Sequence, residues 1–266
     1  MTVFALSVAF IAPAAAAPLK GKVVLTGSST VAPLAAELGK AFEKKHHEAR
    51  IDVQSGGSSR GIADARSGLA DIGMVSRALK DEEKDLQAFA IARDGVCVII
   101  HKDNPIKALD DAQVVAIYTG KITNWKEVGG KDAAITVVNK AEGRSTLELF
   151  THYFKLKNED IKASIVIGDN EQGIKTVAGN PSAIGYVSIG TAEYDSQHGV
   201  RIKLLPVGGV KASISAVRDG TFPLSRPLNL VVKTPPEGLV KAFVDFARSS
   251  EVHELIKRQY FVAIKR

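Results

Sequence analysis

The sequence predicts an α/β protein with mainly parallel sheets, arranged as two lobes. Short apolar runs typical of strands alternate with longer segments in which apolar residues recur every three or four positions, as on one helix face. This alternation runs through both halves of the chain, and it favours parallel strands connected by helices. The length of 266 residues fits two lobes of about 100 to 150 residues each.

Apolar periodicity identifies the elements of the first half in order. Val31, Leu34 and Leu38 are spaced so that they share one helical face. Residues 95–101 form an apolar run typical of a buried strand, and they include the single cysteine, Cys97, which we expect to be a buried core thiol. In this half, strands are predicted at 22–25, 51–54, 71–75 and 95–101, and helices at 31–42, 62–69 and 81–90.

The second half repeats the alternation. Its last elements are expected to return to the first lobe, so that residues 95–102 and 228–233 cross between the lobes. This assigns residues 18–98 and 233–266 to lobe I and residues 99–232 to lobe II. Strands are predicted at 135–139, 165–167, 183–187 and 228–232, and helices at 111–118, 147–154, 171–178, 236–248 and 251–260.

Residues 1–17 are predicted to be a secretory signal peptide. They contain no charged residue, and the apolar run from Val3 to Ile11 is followed by Pro13 and four alanines, the small residues that a signal peptidase requires. The run is too short to span a bilayer, and no cysteine follows it for lipid attachment. We therefore expect free secretion into a periplasm without a stable membrane anchor.

Three clusters of Gly, Ser and Thr, at 26–30, 55–59 and 143–146, each end a short apolar segment and open a helical pattern. A helix N-terminus exposes free backbone N–H groups and a partial positive charge, which suit an anion. Hydroxyl groups add donors, and glycine lets the backbone approach closely. One such cluster is usually a simple helix cap. Three in one chain predict a site where helix ends converge on a small oxyanion.

Charge and histidine content exclude other classes of site. Lys and Arg number 35 against 29 Asp and Glu, for a formal net charge of +6, but no basic run resembles a nucleic-acid arm. A solvated basic surface that helps collect anions is therefore expected. The six histidines have no metal-ligand spacing with one another or with Cys97, so neither a metal nor another cofactor is expected.

The stretch 118–125 reads Tyr-Thr-Gly-Lys-Ile-Thr-Asn-Trp, and the cluster 143–146 follows it ahead of Phe150. Together with several further segments, these motifs resemble the phosphate-binding proteins of ABC-type phosphate transporters. The resemblance covers nearly all of the chain after the signal segment. The further segments are 25–33, 54–61, 70–77, 128–130, 184–186 and 223–227.

This resemblance implies a two-lobed type II periplasmic binding protein fold, each lobe a mainly parallel sheet flanked by helices. Phosphate would be held dehydrated in the cleft, mostly by neutral donors. The lobes would close on the anion, and a membrane permease would recognise the closed monomer. The ligands implied by position are Ser29, Thr30, Ser58 and Ser76 on lobe I and Arg144, Ser145 and Thr146 on lobe II.

Two positions depart from the pattern of the family. Where its members carry an Asp that accepts the proton of hydrogen phosphate, this chain has Ser76, which can accept from an O–H but carries no charge to repel sulfate. The family's upstream Arg corresponds to Lys140, so Arg144 is expected to supply the cationic contact.

Three alternatives stay open at this point. Ser76 favours a binder of sulfate or another tetrahedral oxyanion. A secreted phosphatase would use the same anion site, and a Ser-His-Asp triad can assemble from residues distant in sequence. No Gly-x-Ser-x-Gly elbow or nucleotide-binding phosphate loop supports an enzyme, however. A ligand-sensing or extracellular-matrix role on the same fold is the third alternative.

Overall fold

Strands and helices alternate along residues 19–264, the part of the chain that the computed structural model describes; the predicted signal segment 1–17 lies outside it. The strands are β1 (Gly21–Gly27), β2 (Ala49–Ser55), β3 (Ile72–Val75), β4 (Gln87–His101), β5 (Thr136–Lys140), β6 (Ile165–Ile167), β7 (Ala183–Ser188), β8 (Ile202–Leu204), β9 (Ser225–Val232) and β10 (Val262–Ala263). The α-helices are α1 (Ala32–Glu43), α2 (Ser58–Ser67), α3 (Asp111–Tyr118), α4 (Ser145–Phe154), α5 (Asn170–Gly179), α6 (Ile189–Gln197), α7 (Ile214–Arg218), α8 (Gly238–Ala247) and α9 (His253–Arg258).

The strands form one continuous mixed sheet in the order β2-β1-β3-β9-β4-β7-β5-β6, and β8 and β10 also pair with β4. At one end β1 runs parallel to β2 and β3, and at the other β5 runs parallel to β6 and β7. The pairs that join these two ends, β3 with β9, β9 with β4 and β4 with β7, are antiparallel. The predicted α/β class is therefore confirmed, and the antiparallel centre is a feature that the alternation of segments did not predict.

Two large hydrophobic cores lie on either side of this centre. One is built from residues between Val23 and Ala92 together with residues between Leu228 and Phe261. The other is built from residues between Val96 and Leu224. The chain thus passes between the cores at 92–96 and again at 224–228, and β4 contributes side chains to both. The assignment of 18–98 with 233–266 to lobe I and of 99–232 to lobe II stays a prediction.

The predicted helix at 81–90 is wrong. Residues Asp81–Glu83 form a single 3-10 turn, and β4 already begins at Gln87. The first half of β4 pairs with β9, beginning with Gln87 opposite Val232. Glu, Lys, Leu, Gln and Ala in this segment favour a helix locally, but pairing with a buried neighbouring strand overrides that preference.

The predicted helix at 62–69 ends two residues early. Gly68 adopts a left-handed conformation with φ 79°, which ends α2 at Ser67. Leu69, assigned to the apolar face, is consequently 76% exposed. The alternation also missed α6, α7 and β8, because their short segments carry little periodicity.

Cys97 lies buried in the middle of β4, as predicted. Burial raises the pKa of its thiol well above the ordinary value, since a thiolate is poorly solvated among apolar side chains.

Candidate anion-binding site

The end of β1 is held against the ends of two other elements by glycine. Gly27 has φ 128°, and a methyl group there would lie 2.4 Å from the carbonyl oxygen of Met74 and 2.9 Å from Cα of Gly61. Any side chain at this position would push β1 away from β3 and α2. Glycine therefore brings the first and second predicted anion loops, and the turn after β3, to one edge of the sheet.

Ser28 organises the first loop. Its Oγ accepts from the backbone N–H groups of Thr30 at 3.2 Å and Val31 at 3.3 Å, which orders the turn that leads into α1. Because two donors occupy its oxygen, its own proton is directed elsewhere, and it donates to Oγ of Ser76 at 2.9 Å. Ser28 thereby fixes the orientation of a predicted ligand.

The second loop opens α2 without a side-chain cap. Gly57 precedes the helix with φ 100°, and Ser58, the first helical residue, is buried. Oγ of Ser58 accepts from the backbone N–H of Ser76 at 3.2 Å, so its own proton stays available. Ser29 is half-buried and lies at the rim, where it lines a cavity with Asn170.

The third loop opens α4, also without a side-chain cap. Ser145 and Thr146 are its first two residues and both are buried. Oγ of Ser145 has no hydrogen-bond partner among residues 19–264. A buried hydroxyl without a partner is costly, which makes this group a natural donor to a bound anion.

Arg144, the residue before α4, is half-buried and runs along the rim of the cleft. A methyl group on Gly57 would lie 3.0 Å from its Cδ, and one on Gly168 would lie 3.3 Å from its Nη2. Within the described residues its guanidinium forms no hydrogen bond to a side chain or the backbone. Arg144 therefore lies beside the first lobe but outside the buried cluster.

Arg226, at the start of β9, occupies the centre of the cluster and is 2% exposed. Its Nη1 donates to Oγ of Ser76 at 3.3 Å and to Oγ1 of Thr146 at 3.1 Å. Its Nη2 donates to Oγ1 of Thr30 at 3.1 Å. One guanidinium thus joins three of the predicted ligands, contributed by both sides of the cleft.

Sequence reasoning placed Arg226 in a matching segment but did not select it as a ligand. The available signal was a charged residue at the start of an otherwise apolar strand. Such a residue is rarely buried unless it is paired. Asp94, next to the buried run of β4, carries the same signal.

Asp94 fixes the guanidinium from behind. It lies directly opposite Arg226 in the antiparallel register of β4 and β9, and it is fully buried. Its Oδ2 accepts from Nε at 3.2 Å and from Nη2 at 2.9 Å, while Oδ1 accepts from the backbone N–H of Gly190 at 3.2 Å. A buried ion pair of this kind orients its partners, and losing either member leaves a buried charge unpaired.

Asn170, the first residue of α5, joins the cluster from the second lobe. Its Nδ2 donates to Oγ1 of Thr30 at 3.1 Å, and its Oδ1 accepts from Nζ of Lys140 at 3.1 Å. Burial lowers the pKa of Lys140 to about 7, because the charged form is poorly solvated; the Asp169 carboxylate opposes this and the Arg226 and Arg144 guanidinium groups add to it.

These contacts determine whether each hydroxyl group can donate or accept a further hydrogen bond. Oγ1 of Thr30 accepts from both Arg226 and Asn170, and Oγ of Ser76 accepts from both Arg226 and Ser28. A hydroxyl oxygen has two lone pairs, so each group is left with its proton to donate. Ser76 is thus a donor in this arrangement, and the expectation that it could accept the proton of a hydrogen phosphate does not fit the hydrogen bonds it makes.

The two sides of the cleft also touch at the rim. The backbone N–H of Ser59 donates to the carbonyl oxygen of Gly143 at 3.2 Å. Glu148, one turn into α4, forms ion pairs with Nε of Arg77 at 2.8 Å and Nζ of Lys80 at 3.2 Å. Arg77 is held in turn by a buried two-point pair with Glu83.

Across the part of the chain that the structure describes, no group of three His, Cys, Asp or Glu side chains is placed to hold a metal ion. Nor is any helix in that part both long and apolar enough to cross a membrane. The arrangement is instead a buried cluster of hydroxyl groups around one fixed guanidinium, which suits an oxyanion.

Comparison with known proteins agrees with this chemistry. A family model described as the PBP superfamily domain matches residues 12–251. The phosphate-binding protein PstS of Bacillus subtilis is 30% identical over 241 residues, which cover 89% of this chain and 78% of that protein.

Two solved structures extend the likeness to three dimensions. One, from Clostridium perfringens, is described as a phosphate ABC transporter substrate-binding protein with bound phosphate; it is 36% identical, with a TM-score of 0.84, and the match covers 92% of this chain and all of that one. An ABC-type phosphate transport receptor from Vibrio cholerae is 29% identical, with a TM-score of 0.75 and a match over 91% of this chain and all of that one. The family resemblance and the two-lobed binding-protein fold predicted from sequence are confirmed: this chain belongs to the PBP superfamily and, within it, to the PstS family of phosphate-binding proteins.

Proposed function

We propose that this protein binds inorganic phosphate in the cleft and delivers it to the permease of an ABC-type transporter. The observation that carries the proposal is the Arg226 guanidinium, which is fixed by Asp94 and surrounded by hydroxyl groups whose protons are free to donate. The phosphate bound by the Clostridium perfringens relative supports the same ligand.

The proposed ligands differ in how they reach the anion. Arg226 supplies a full charge from the floor of the cleft, and Arg144 supplies a second one from the rim. Thr146 has one lone pair occupied by Arg226 and its proton free. The remaining proposed donors are hydroxyl groups at or next to helix starts, where the backbone adds further N–H groups: Ser29, Thr30, Ser58, Ser76 and Ser145.

Phosphate would favour the closed arrangement because its ligands come from both lobes. An anion bound by one lobe alone gains part of the hydrogen bonds, and closure adds the rest. Closure would also exclude water, which strengthens each charged hydrogen bond. We propose that the permease distinguishes this closed form.

We further propose that the protein acts outside the cytoplasmic membrane as a monomer, after removal of residues 1–17. Its lobes would comprise residues 18–98 with 233–266, and residues 99–232. The relatives are substrate-binding proteins, and we propose that this protein likewise binds phosphate without transforming it. Sustained release of phosphate from a phosphate ester by the metal-depleted protein would contradict this and revive the phosphatase alternative.

Calorimetric titration of the ligand-stripped protein with phosphate tests the proposal. We expect one phosphate per chain and a loss of affinity in Thr146→Val, which removes a hydroxyl without changing shape. Thr151→Val is the matched control, because Thr151 lies on α4 but its Oγ1 donates to the carbonyl oxygen of Leu147. Absence of phosphate binding, or equal affinity in the Thr146→Val and Thr151→Val proteins, would contradict it.

Sulfate is the second candidate ligand, and one observation favours it. With both lone pairs of Ser76 occupied, this residue offers sulfate and phosphate the same donor. Titration with sulfate at two pH values separates the candidates. We expect Ser76→Asp to weaken sulfate binding more than phosphate binding, because a carboxylate repels an anion that brings no proton to share.

A further inference from the structure

Lys140 is a buried cation close to the proposed anion site but outside its set of ligands. It ends β5 and is 2% exposed. Its ammonium donates to Oδ1 of Asn170 at 3.1 Å, and within residues 19–264 no carboxylate forms an ion pair with it. A buried ammonium without a carboxylate partner is costly in a protein interior, so its presence beside the cleft calls for a reason.

Asn170 connects this ammonium to a proposed ligand. An ammonium has donors and no acceptor, so it can face only the oxygen of the Asn170 amide. The NH2 group is thereby turned toward Thr30, to which it donates at 3.1 Å. Since Thr30 then accepts from Asn170 and Arg226, its proton points toward the cleft. The backbone N–H of Ser188 donates to the same oxygen at 3.4 Å, so the charged lysine, together with this weaker contact, sets the direction in which Thr30 donates.

The groups that face Lys140 from the surrounding elements are mostly positive or neutral. Arg226 on β9 and Arg144 before α4 disfavour the charged ammonium, and Asp169 before α5 favours it. Tyr186 on β7 accepts from the backbone N–H of Lys140, and burial keeps its phenol neutral by raising its pKa. The balance leaves Lys140 with a pKa of about 7, where a nearby anion can change its charge.

We propose that Lys140 is a positioning residue of the anion site, which acts through Asn170, and that it takes up a proton when phosphate binds. This inference rests on the proposed binding of phosphate in the cleft. The added negative charge favours the ammonium over the neutral amine, and the ammonium in turn holds Asn170 and Thr30 in the donating orientation. Each proton bound at Lys140 and each phosphate bound in the cleft therefore strengthens the other.

NMR of the protein labelled with ¹³C at lysine Cε measures the charge of Lys140 directly. The signal is assigned by its loss in Lys140→Met. We expect its titration midpoint to lie near pH 7 without phosphate and to rise by about two units at saturating phosphate, which corresponds to about hundredfold tighter binding by the charged form. Lys203 on β8 is the internal control: it is also partly buried and its pKa is lowered, but it contacts Asn104 at the far end of β4. Its midpoint should not move.

Calorimetry of Lys140→Met at pH 8 in two buffers of different ionisation heat tests the proton uptake. Phosphate itself titrates near neutrality, so the informative quantity is the difference between the wild-type and variant proteins. We expect the wild type to take up close to one proton more, because at this pH a lysine with a pKa of about 7 is mostly neutral before binding. Lys203→Met should behave as the wild type.

A double-mutant cycle tests the route through Asn170. If Lys140 acts through this amide, Lys140→Met should cost affinity in the wild type and little further affinity in the Asn170→Ala protein. Equal losses in both backgrounds would mean that Lys140 contacts the anion by itself, and they would overturn the positioning role. A Lys140 midpoint unmoved by phosphate that binds normally would overturn the proton uptake, whereas absence of phosphate binding in the wild type would instead overturn the proposed function.

Discussion

Arg226 places a guanidinium among neutral hydroxyl groups, and its position depends on one charged partner. Asp94 neutralises it and holds it by two hydrogen bonds, leaving Nη1 and Nη2 directed at the hydroxyl groups. Both ions lose hydration on burial, and their close two-point contact offsets this cost, while Nη1 and Nη2 orient the hydroxyl groups of Ser76, Thr146 and Thr30.

The first prediction compares the two arginines. Arg226→Gln should lower phosphate affinity by about tenfold to more than a hundredfold, since a charged hydrogen bond contributes about 1.5–3 kcal/mol. Arg144→Ala should lower the affinity less. Arg144 forms no hydrogen bond within the described residues, so its loss removes attraction without disturbing the hydroxyl groups. Calorimetric titration with phosphate measures both affinities.

Arg226→Gln also leaves the Asp94 carboxylate buried and unpaired, and the free energy of unfolding should fall by about 3–5 kcal/mol. The double variant Asp94→Asn with Arg226→Gln removes that charge. It should recover much of the stability in urea unfolding but not the affinity. Recovery of both would show that Arg226 acts on stability alone.

The second prediction concerns the pH dependence of stability. The pKa of Lys140 is lowered from 10.5 to about 7 in the folded protein. Between these values the unfolded chain binds more protons, so the contribution of Lys140 to stability rises with pH across this window and is most unfavourable below it. The stability of Lys140→Met relative to wild type should therefore be greatest near pH 6 and decline toward pH 10. A difference independent of pH would contradict the lowered pKa.

At the scale of elements, two helix starts meet across the cleft. A methyl group on Gly57 would lie 2.7 Å from the carbonyl oxygen of Gly143, whereas one on Gly143 would be 3.5 Å from Cβ of Ser59, an ordinary contact. Both glycines have positive φ, so alanine strains the backbone at either position.

The third prediction follows from this asymmetry. Gly57→Ala should weaken phosphate binding, because its methyl group prevents the loop before α2 from approaching α4. Gly143→Ala also places a side chain at positive φ, but without the clash, and is the control. Affinity from calorimetry and stability from urea unfolding separate the two effects. Equal losses of affinity would show that backbone strain, rather than the close approach, is responsible.

The fourth prediction concerns the ion pairs of α4. Glu148→Gln should raise the rate of phosphate release several-fold, since Arg77 and Lys80 lose the ion-pair partner that α4 provides where the lobes touch. The effect should shrink at high salt, where the partly exposed charges are screened. Stopped-flow release measures it, and Glu142→Gln, on the neighbouring loop and hydrogen-bonded to Asn158 within the same lobe, is the control.

At the scale of the whole molecule, the two crossing strands connect the cores to the site. β4 and β9 pair antiparallel, and the Asp94–Arg226 pair lies where they pass between the cores. The proposed ligands on both sides thus surround the segments that connect the two cores.

The fifth prediction is that phosphate makes the molecule more compact and more stable. The radius of gyration from small-angle X-ray scattering should fall on addition of phosphate. The free energy of unfolding should rise by about 4 kcal/mol at a thousandfold excess over Kd, because phosphate binds the folded state. The Thr146→Val protein should need a higher phosphate concentration for the same changes in radius of gyration and in free energy of unfolding. A radius unchanged by saturating phosphate would contradict closure.

Much of the fold was predictable because its signals are local. The bounds of α3 and β6 agree with the sequence prediction, since a capping box of Asp110 and Gln113 begins α3 and three β-branched residues form β6. The segment 81–90 failed because its partner, β9, lies more than a hundred residues away. The Gly/Ser/Thr clusters that open α2 and α4 were likewise readable from sequence, although these helices begin at Ser58 and Ser145, earlier than the predicted 62 and 147. Arg226 was not selected, since its role depends on Asp94 in a strand distant along the chain.

The sequence by itself determined the α/β class, the family and the donor-rich loops, because each depends on residue types at short, fixed spacing. Only the tertiary structure decided which charge reaches the pocket, which way each hydroxyl donates and which lysine lies behind it. Those properties arise from hydrogen bonds and ion pairs between residues far apart in sequence. Thr30 illustrates the difference: its hydroxyl is evident in the sequence, but the direction of its proton is set by Arg226 and Asn170.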